Sequence, residues 1–343
     1  MEDRFWAKST EETIVEHTQK LLERYTQLQK NYPEIPVNWD LLRIACQYHD
    51  LGKMNKLFQE KIREGVMKKD GEIPHGLLSI TLLPFEQLEE RYERKEIKAL
   101  TYAVALHHER NLSEIEEEQY ESEAEALMVL IEEFPFDELD LPKPDEIEVP
   151  SVIYYKLRIS SQDDCFRESV MLKGLLNRID YAASGDYQIE YPANFLNKNM
   201  PKVRESWRKK HSDPTINWNE MQKYVQTHQD ESLVIIGQTG LGKTEAGLLW
   251  IGDNKGFFTL PLRTAINAIY ERIRKDITDK TEDKYKEQVG ILHSDSLAVL
   301  LAEQEENKEI ELDQLEGYLT ETRSWSLPLT VTTLDQTFDF VYH

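Results

Sequence analysis

Cysteine is scarce in this sequence, since only Cys46 and Cys165 occur among its 343 residues. Two thiols are too few for a disulfide framework or a thiolate zinc site, and such scarcity is typical of a reducing compartment. The sequence also lacks an apolar run long enough to cross a bilayer, and no basic-then-apolar signal follows Met1. The composition therefore predicts a cytoplasmic protein that is neither disulfide-stapled nor membrane-bound.

Basic residues are in deficit as well, because 41 Lys and Arg face 64 Asp and Glu and leave a formal net charge of −23. Most of this charge is local. Residues 111–150 hold fifteen acidic residues against one lysine, a net of −14, so the remaining residues carry only −9. The sum therefore does not exclude a basic groove elsewhere in the chain.

Helical periodicity dominates the first 185 residues. Ser9 and Glu12 fit a capping box, and apolar residues from Ile14 to Leu28 then recur at helical spacing. The same spacing predicts further helices over 39–48, from Pro74 onward, and over 96–107, 113–134 and 164–184. From Leu233, short apolar runs alternate with helical segments, as in a parallel α/β sheet. We therefore predict a multidomain protein with an all-α domain over 1–185, a linker over 186–217 and an α/β domain over 218–343.

Five of the nine histidines lie within the first 108 residues: His17, His49, His75, His107 and His108. Most fall at helix positions that face inward, and Asp50 and Asp180 lie at similarly apolar positions. A lone histidine of this kind is more often a satisfied core residue than a ligand, whereas a buried carboxylate needs a partner. Together, five imidazoles and two carboxylates from several helices could hold two metal ions, with Asp50 bridging them.

These donors are nitrogen and oxygen atoms without thiolate, which suits Mn, Fe, Co or Ni, with zinc also possible. Two such ions a few ångströms apart can activate a water and stabilise the leaving oxygen of a phosphodiester. Lys53 lies one turn beyond His49 and Asp50, where it could meet a phosphate oxygen. Asp50 and Lys53 are therefore the predicted catalytic residues.

The segment HDLGK (49–53) resembles the HD superfamily of metal-dependent phosphohydrolases. FWAKS near the start, the double histidine of ALHHER, and RIDYAAS are similar to the HD nuclease domain of the signature nuclease–helicase of type I CRISPR systems. This resemblance implies one metal held by His17, His49, Asp50 and Asp180. It implies a second metal held by Asp50, His75, His107 and His108.

The segment GQTGLGKT matches the phosphate-loop pattern G-x-x-x-x-G-K-[ST] and follows the apolar run LVII, which we predict to be a strand. In such a loop, glycines let backbone N–H groups approach phosphates, and the dipole of the next helix favours the anion. Lys243 would reach the β and γ phosphates and Thr244 would hold Mg²⁺. The predicted ATP-binding residues here are Gly237, Gly240, Gly242, Lys243 and Thr244.

The flanks of this loop resemble motifs of superfamily 2 helicases. NEMQKYV is similar to the adenine-reading Q motif, with Gln222 as reader, although an ordinary polar helix position explains Gln222 nearly as well. TLPLRTAINAIYERI and TVTTLDQTF are similar to motifs that grip a strand backbone. They make Arg263, Thr333 and Gln336 candidate DNA contacts, each of which could alone be a solvated surface residue. The resemblance implies a RecA-like lobe.

The resemblance fails at one point, because no D-E-x-H motif occurs anywhere in the sequence. Without that carboxylate pair nothing positions the attacking water or completes the Mg²⁺ shell. We expect an incomplete first helicase lobe that does not unwind DNA by itself. Missing strands would also leave an unpaired edge and uncovered apolar faces, so we expect poor order or association beyond about residue 230.

The function that these motifs favour is a metal-dependent nuclease for single-stranded DNA, acting with a crRNA-guided surveillance complex (Cascade) in antiviral defence. One alternative is an HD nucleotide phosphohydrolase, and another is a catalytically inactive fragment that binds ATP or a partner. The acidic segment is interpreted as a solvated insertion or as a flap that repels DNA or docks on that complex. The basic segment KVRESWRKK is interpreted as a solvated linker helix or as a patch that guides a strand.

Overall fold

The fold is taken from a computed structural model, which describes residues 5–66, 72–108, 115–145, 147, 157–278, 287–306 and 312–337. The chain divides into two compact units, Met1–Asp186 and Tyr187–His343. Among the described residues, no helix combines the length and the hydropathy that crossing a bilayer requires.

The described part of the first unit is helical, apart from an isolated bridge between Trp6 and Thr13. Three short 3₁₀ turns interrupt it at Leu51–Met54, Ile80–Leu82 and Phe136–Leu139. The α-helices in chain order are α1 (Ile14–Asn31), α2 (Trp39–Tyr48), α3 (Lys56–Glu64), α4 (His75–Ser79), α5 (Phe85–Glu89), α6 (Arg94–Ala105), α7 (Glu117–Ile131) and α8 (Phe166–Ser184).

Helices α1, α2, α6 and α8 pack on one another and form the core of this unit. Their apolar stripes bury Leu21, Leu42, Leu100 and Leu176 completely. Removing one such side chain from water contributes roughly 1.5–3 kcal/mol before chain entropy is counted. The predicted all-α domain is therefore confirmed, and the burial follows the 3.6-residue period of the sequence.

The start of α1 differs from the prediction. The capping box is formed by Thr13 and Glu16, not by Ser9 and Glu12. Residues 7–12 instead make a tight turn in which Ala7 N–H donates to the Glu12 carbonyl, and Glu11 has a φ of 67°. This turn leaves the carboxylate of Glu12 available for another contact.

The acidic segment is not simply a solvated insertion. Helix α7 buries Tyr120, Ala124, Leu127 and Ile131, and the Tyr120 hydroxyl donates to the Leu77 carbonyl. The high glutamate content of this segment does not reveal that one face of the helix is apolar and buried. The parts of the segment at 111–114, 146 and 148–150 lie outside the described residues.

The second unit combines a small sheet with helices. Its strands are β1 (Gly256–Thr259), β2 (Val289–Leu292) and β3 (Leu329–Thr332), all parallel and in the order β1-β3-β2. Its helices are α9 (Phe195–His211), α10 (Glu220–Thr227), α11 (Lys243–Ile251), α12 (Arg263–Asp276), α13 (Ser296–Glu306) and α14 (Leu312–Arg323). A partial RecA-like lobe with a parallel sheet is therefore confirmed.

One predicted strand is wrong. Residues 233–236 form no strand, although the helix expected at Lys243 does follow. The side chains of Val234 and Ile236 are 93% and 95% exposed. Strands need a neighbour to satisfy their backbone groups, and no described residue pairs with this segment.

Residues 187–217, which the sequence assigns to a linker, group with the second unit. Within them, α9 places Phe195, Leu196, Met200 and Val203 in the core of that unit. The basic segment 202–210 lies on this helix, with Lys202, Lys209 and Lys210 exposed.

Candidate metal centre and phosphate loop

His49 and Asp50 lie at the point where α2 ends and a 3₁₀ turn begins. Asp50 has φ −107° and ψ 0°, a sparsely populated conformation that is common at active sites. Gly52 then lets α4 approach the turn, because a Cβ at this position would lie 2.1 Å from the His75 carbonyl oxygen. Ser79 locks the contact by accepting from Gly52 N–H and donating to the His49 carbonyl. The glycine after the His-Asp pair is thus required by packing.

Four other elements bring the remaining predicted ligands to the same place. His17 lies on α1, His75 begins α4, and Asp180 lies on α8. His107 and His108 follow the end of α6. All seven predicted ligands therefore meet in one cluster, where His17, His49, Asp50, His107 and Asp180 are buried.

The carboxylate of Asp50 lies between two groups of imidazoles. Its Oδ2 is 3.5 Å from His17 Nε2 and 3.3 Å from His49 Nε2. Its Oδ1 is 3.2 Å from His75 Nε2 and 3.7 Å from His107 Nε2. Each oxygen thus faces one of the two groups, as expected of a carboxylate that bridges two ions.

Asp180 and His108 complete the two groups. Asp180 Oδ1 is 3.0 Å from His17 Nε2 and 4.0 Å from His49 Nε2, while its Oδ2 is 3.5 Å from His108 Nε2. The ligand atoms form two sets, and within each set all atoms lie within 4.8 Å of one another. The first set is His17, His49 and Asp50. The second is Asp50, His75, His107 and His108. Asp180 lies beside the first set.

The outer nitrogens of three rings are held by acceptors. His49 Nδ1 lies 3.0 Å from the Cys46 carbonyl and His107 Nδ1 lies 2.6 Å from the Val104 carbonyl. His17 Nδ1 lies 3.0 Å from Glu12 Oε1. Since these oxygens can only accept, each Nδ1 carries a hydrogen, so that each Nε2 could ligate a cation in the cluster. Sequence spacing gave no sign of Glu12 in this role.

Two ligand atoms support a cation in this place. His49 Nε2 and Asp50 Oδ1 are buried and lack a hydrogen-bond partner of suitable geometry among the described residues. Buried polar atoms are normally satisfied. His75 Nε2 and His107 Nε2 also face each other at 3.1 Å. The donor set is imidazole and carboxylate, so the residues present fit two divalent ions of the first transition series or zinc.

The protonation states also suit metal binding. Burial raises the pKa of Asp50, but the charges of His49 and Lys53 outweigh it and hold that pKa well below its usual range. Burial lowers the pKa of His75 to about 3 and that of His108 to about 4. Burial lowers the pKa of His49, but its contacts with Asp50 and Asp180 outweigh this and raise that pKa. Near neutral pH Asp50 is therefore ionised and His75 and His108 are neutral, the forms in which these groups bind cations.

Lys53 is buried beside the cluster, and its Nζ donates to Asp50 Oδ2 over 2.7 Å. The ring of Phe58 lies 5.7 Å from the same ammonium. A phosphate contact for Lys53 stays a prediction, but its ammonium contacts the predicted ligand Asp50 directly.

The predicted phosphate loop curls around its own lysine. Lys243 Nζ donates to the carbonyls of Gly237 and Gln238, both over 2.9 Å. Gly240 and Gly242 have φ values of 86° and 81°, a region that favours glycine. Thr244 follows in the first turn of α11.

Gln222 is occupied by protein contacts. Its amide oxygen accepts from Asn219 N–H in the capping box of α10, and its amide nitrogen donates to the Gly242 carbonyl over 3.1 Å. The side chain is 4% exposed. Gln222 thus ties α10 to the phosphate loop, and its reading of adenine stays a prediction.

The candidate DNA contacts follow the carboxyl ends of the three strands, which the parallel register brings to one edge. Arg263 begins α12 after β1 and bonds to Ser294 and Asp295, which follow β2. Thr333 and Gln336 follow β3. The ring of His293, which sequence reasoning missed, lies at this edge 2.7 Å from Asn267 Oδ1.

A buried histidine and aspartate cluster in a helical bundle, followed by a phosphate loop beside a parallel sheet, defines a metal-dependent HD domain joined to a partial RecA-like lobe. The family described as the HD domain of Cas3 matches residues 6–186, and the chain belongs to this family. The HD domain implies binding of divalent metal.

Individual proteins agree with this assignment. The chain is 26% identical over 354 residues to the CRISPR-associated nuclease/helicase Cas3 of Methanothermobacter thermautotrophicus, which covers 86% of this chain and 40% of the relative. Crystal structures of T. fusca Cas3, free and with ADP, match with TM-scores of 0.52 and 0.51 at 15% and 16% identity. They cover 98% of this chain and 44% of the T. fusca chain. The chain thus spans less than half the length of these relatives.

Proposed function

We propose that the first unit is a metal-dependent nuclease that cuts single-stranded DNA in type I CRISPR interference. The observation that carries this proposal is the position of Asp50, with one carboxylate oxygen toward each imidazole group. Two bound cations would supply Lewis acidity for attack on a phosphodiester and for the charge on its leaving oxygen.

The residues of the chain prepare this chemistry. His17, His49, Asp50 and Asp180 would hold one cation, and Asp50, His75, His107 and His108 the other. Backbone carbonyls fix the rings of His49 and His107, so these ligands need little rearrangement. Lys53, whose ammonium lies on Asp50, would exchange that contact for a phosphate oxygen of the substrate.

For the second unit we propose binding of ATP with Mg²⁺ at the phosphate loop, without unwinding of DNA by this chain alone. The loop lies at the start of α11 and Lys243 is already directed to it. No D-E-x-H motif occurs in the sequence. The relative from M. thermautotrophicus is named a CRISPR-associated nuclease/helicase, which supports a role in CRISPR interference. As partner we propose a crRNA-guided surveillance complex, and as location the cytoplasm.

The proposal is tested with metal-stripped protein and circular single-stranded DNA, to which Mn²⁺, Ni²⁺, Co²⁺ or Mg²⁺ is returned. We expect cutting that needs a transition metal but no ATP, and its loss in Asp50→Ala. Lys243→Ala is the matched control, because it alters the phosphate loop and leaves the cluster intact, so it should cut at the normal rate.

The same preparation is offered free nucleotides. Hydrolysis of nucleotides without cutting of DNA would identify an HD nucleotide phosphohydrolase instead. Stoichiometric metal without any hydrolysis would indicate a binding fragment.

A further inference from the structure

The imidazole of His17 is held differently from those of His49 and His107. Backbone carbonyls accept from the latter two, whereas a side-chain carboxylate, that of Glu12, accepts from His17. His17 Nε2 meanwhile lies 3.0 Å from Asp180 Oδ1 and 3.5 Å from Asp50 Oδ2. Glu12 therefore contacts the outer nitrogen of the His17 ring, Nδ1, while the inner nitrogen, Nε2, faces the histidine–aspartate cluster.

Glu12 is itself fixed by two lysines. Its Oε2 accepts from Lys8 Nζ and from Lys20 Nζ, each over 3.1 Å. Lys8 also donates to the Ser184 carbonyl at the end of α8. Since Oε1 is left for His17, three donors converge on one carboxylate. The amide of a glutamine could not accept from all three donors, because its nitrogen is itself a donor.

The backbone places Glu12 for this contact. The turn of residues 7–12 is closed by Ala7 N–H on the Glu12 carbonyl, and the Glu12 side chain is 14% exposed. The capping of α1 is done by Thr13 and Glu16, so it does not need Glu12. The Glu12 carboxylate can thus accept from the ring of His17.

We propose that Glu12 is a positioning residue that fixes the ring and tautomer of His17 and thereby sets the affinity of one metal position, that of His17, His49, Asp50 and Asp180. This inference rests on the proposed two-metal centre. In this role Glu12 would touch neither cation nor substrate. Partners of this kind typically change metal affinity by about 10–100-fold.

The experiment titrates metal-stripped protein with Co²⁺ and follows the visible absorption and the heat of binding. The unaltered protein should bind two ions. Glu12→Gln and Glu12→Ala should bind one ion normally and the other about 10–100-fold more weakly, the pattern also expected of His17→Ala. The double variant Glu12→Gln with His17→Ala should be no weaker than His17→Ala alone, because both changes act through one ring.

Glu16→Gln is the matched control. It removes one carboxylate four positions along the chain and leaves His17 untouched, while the glutamine oxygen can still accept from Thr13 N–H in the capping box. It should therefore alter neither Co²⁺ affinity. In metal-free protein, ¹⁵N spectra of labelled histidine should show His17 with a hydrogen on Nδ1. In Glu12→Ala that hydrogen should shift to Nε2, which lies 3.0 Å from Asp180 Oδ1.

Two results would overturn the inference: unchanged affinities in both Glu12 variants, or equal weakening of both metal positions, which a merely structural role would produce. Failure of the proposed function looks different, since the unaltered protein would then bind no Co²⁺ at the cluster, or would bind it without cutting DNA. The outcomes for Glu12 and for the metal centre are therefore separable.

Discussion

The histidine–aspartate cluster of the first unit and the phosphate loop of the second unit differ in how they are built. The cluster joins ligands from five segments of the chain, and most of them are buried. The loop is made of consecutive residues, and its lysine is satisfied by carbonyls of the loop itself. One site is a product of tertiary packing, while the other is largely local, so the same kind of change should have unequal effects in the two.

The largest effect is expected for Gly52→Ala. The added Cβ would lie 2.1 Å from the His75 carbonyl and 2.7 Å from the Ser79 nitrogen, both backbone atoms that cannot turn aside. We expect a loss of about 3 kcal/mol or more of unfolding free energy and fewer than two bound ions, measured by urea unfolding and Co²⁺ titration.

Gly174→Ala is the matched control for this change. Gly174 lies within α8 and nothing lies within 4 Å of its Cβ position. Alanine should therefore stabilise the helix by about 0.5–1 kcal/mol. A Gly52→Ala protein as stable as the parent would mean that α4 and the His-Asp turn do not interlock as described.

A smaller and more local effect is expected for Gly242→Ala. The new Cβ would lie 2.4 Å from Gln222 Nε2, which is the end of a flexible side chain and can move. The φ of 81° adds strain of about 1–2 kcal/mol. We expect ATP affinity to fall at least about tenfold, or about 1.4 kcal/mol, with DNA cutting unchanged, as measured with a fluorescent nucleotide.

Gly240→Ala separates the two causes, because its φ is 86° but nothing lies within 4 Å of its Cβ position. It should carry the backbone strain and keep the contact between Gln222 and Gly242. If both variants bound ATP equally weakly, the contact of Gln222 would have no role in holding the loop.

The sequence was sufficient for the identity of the clustered residues but not for all their surroundings. His49, Asp50 and His107 directly follow apolar helices, so their inward direction could be predicted from periodicity. The role of Glu12 could not be predicted, because it depends on a turn with Glu11 at positive φ. The fold class was predictable from alternating patterns, whereas the strand expected at 233–236 was not realised, because strand formation depends on a neighbour.

The cluster should also show itself in the pH dependence of stability. Burial lowers the pKa of His75 to about 3; Lys53 and His107 add to this, and Asp50 opposes it. As pH falls below about 6.5, His75 takes up a proton in the unfolded chain but stays neutral in the folded metal-free protein. Stability is therefore lost until the pH reaches the pKa of His75 in the folded state.

His75→Gln removes this contribution. Between pH 7.5 and pH 5, metal-free unaltered protein should lose about 1–2 kcal/mol more unfolding free energy than the variant; the lower figure allows for a side chain that is 15% exposed. Urea unfolding in a chelator at both pH values gives the comparison. Equal losses would mean that His75 titrates normally, and hence that the cluster is open to water.

The smallest effect on stability is expected where the phosphate loop begins. Val234 and Ile236 are 93% and 95% exposed, so replacing both with Thr should change unfolding free energy by less than about 0.5 kcal/mol. Exposed apolar side chains on an extended segment favour association between molecules. The double variant should therefore sediment closer to a 40.3 kDa monomer at high concentration than the unaltered protein does.

Val331→Thr provides the contrast, since Val331 is fully buried in β3 and should lose stability when a hydroxyl is placed there. If the double variant at 234 and 236 associated as strongly as the parent, another surface would be responsible. If it lost as much stability as Val331→Thr, residues 233–236 would be packed in solution, and the difference between a local loop and an interlocked cluster would disappear.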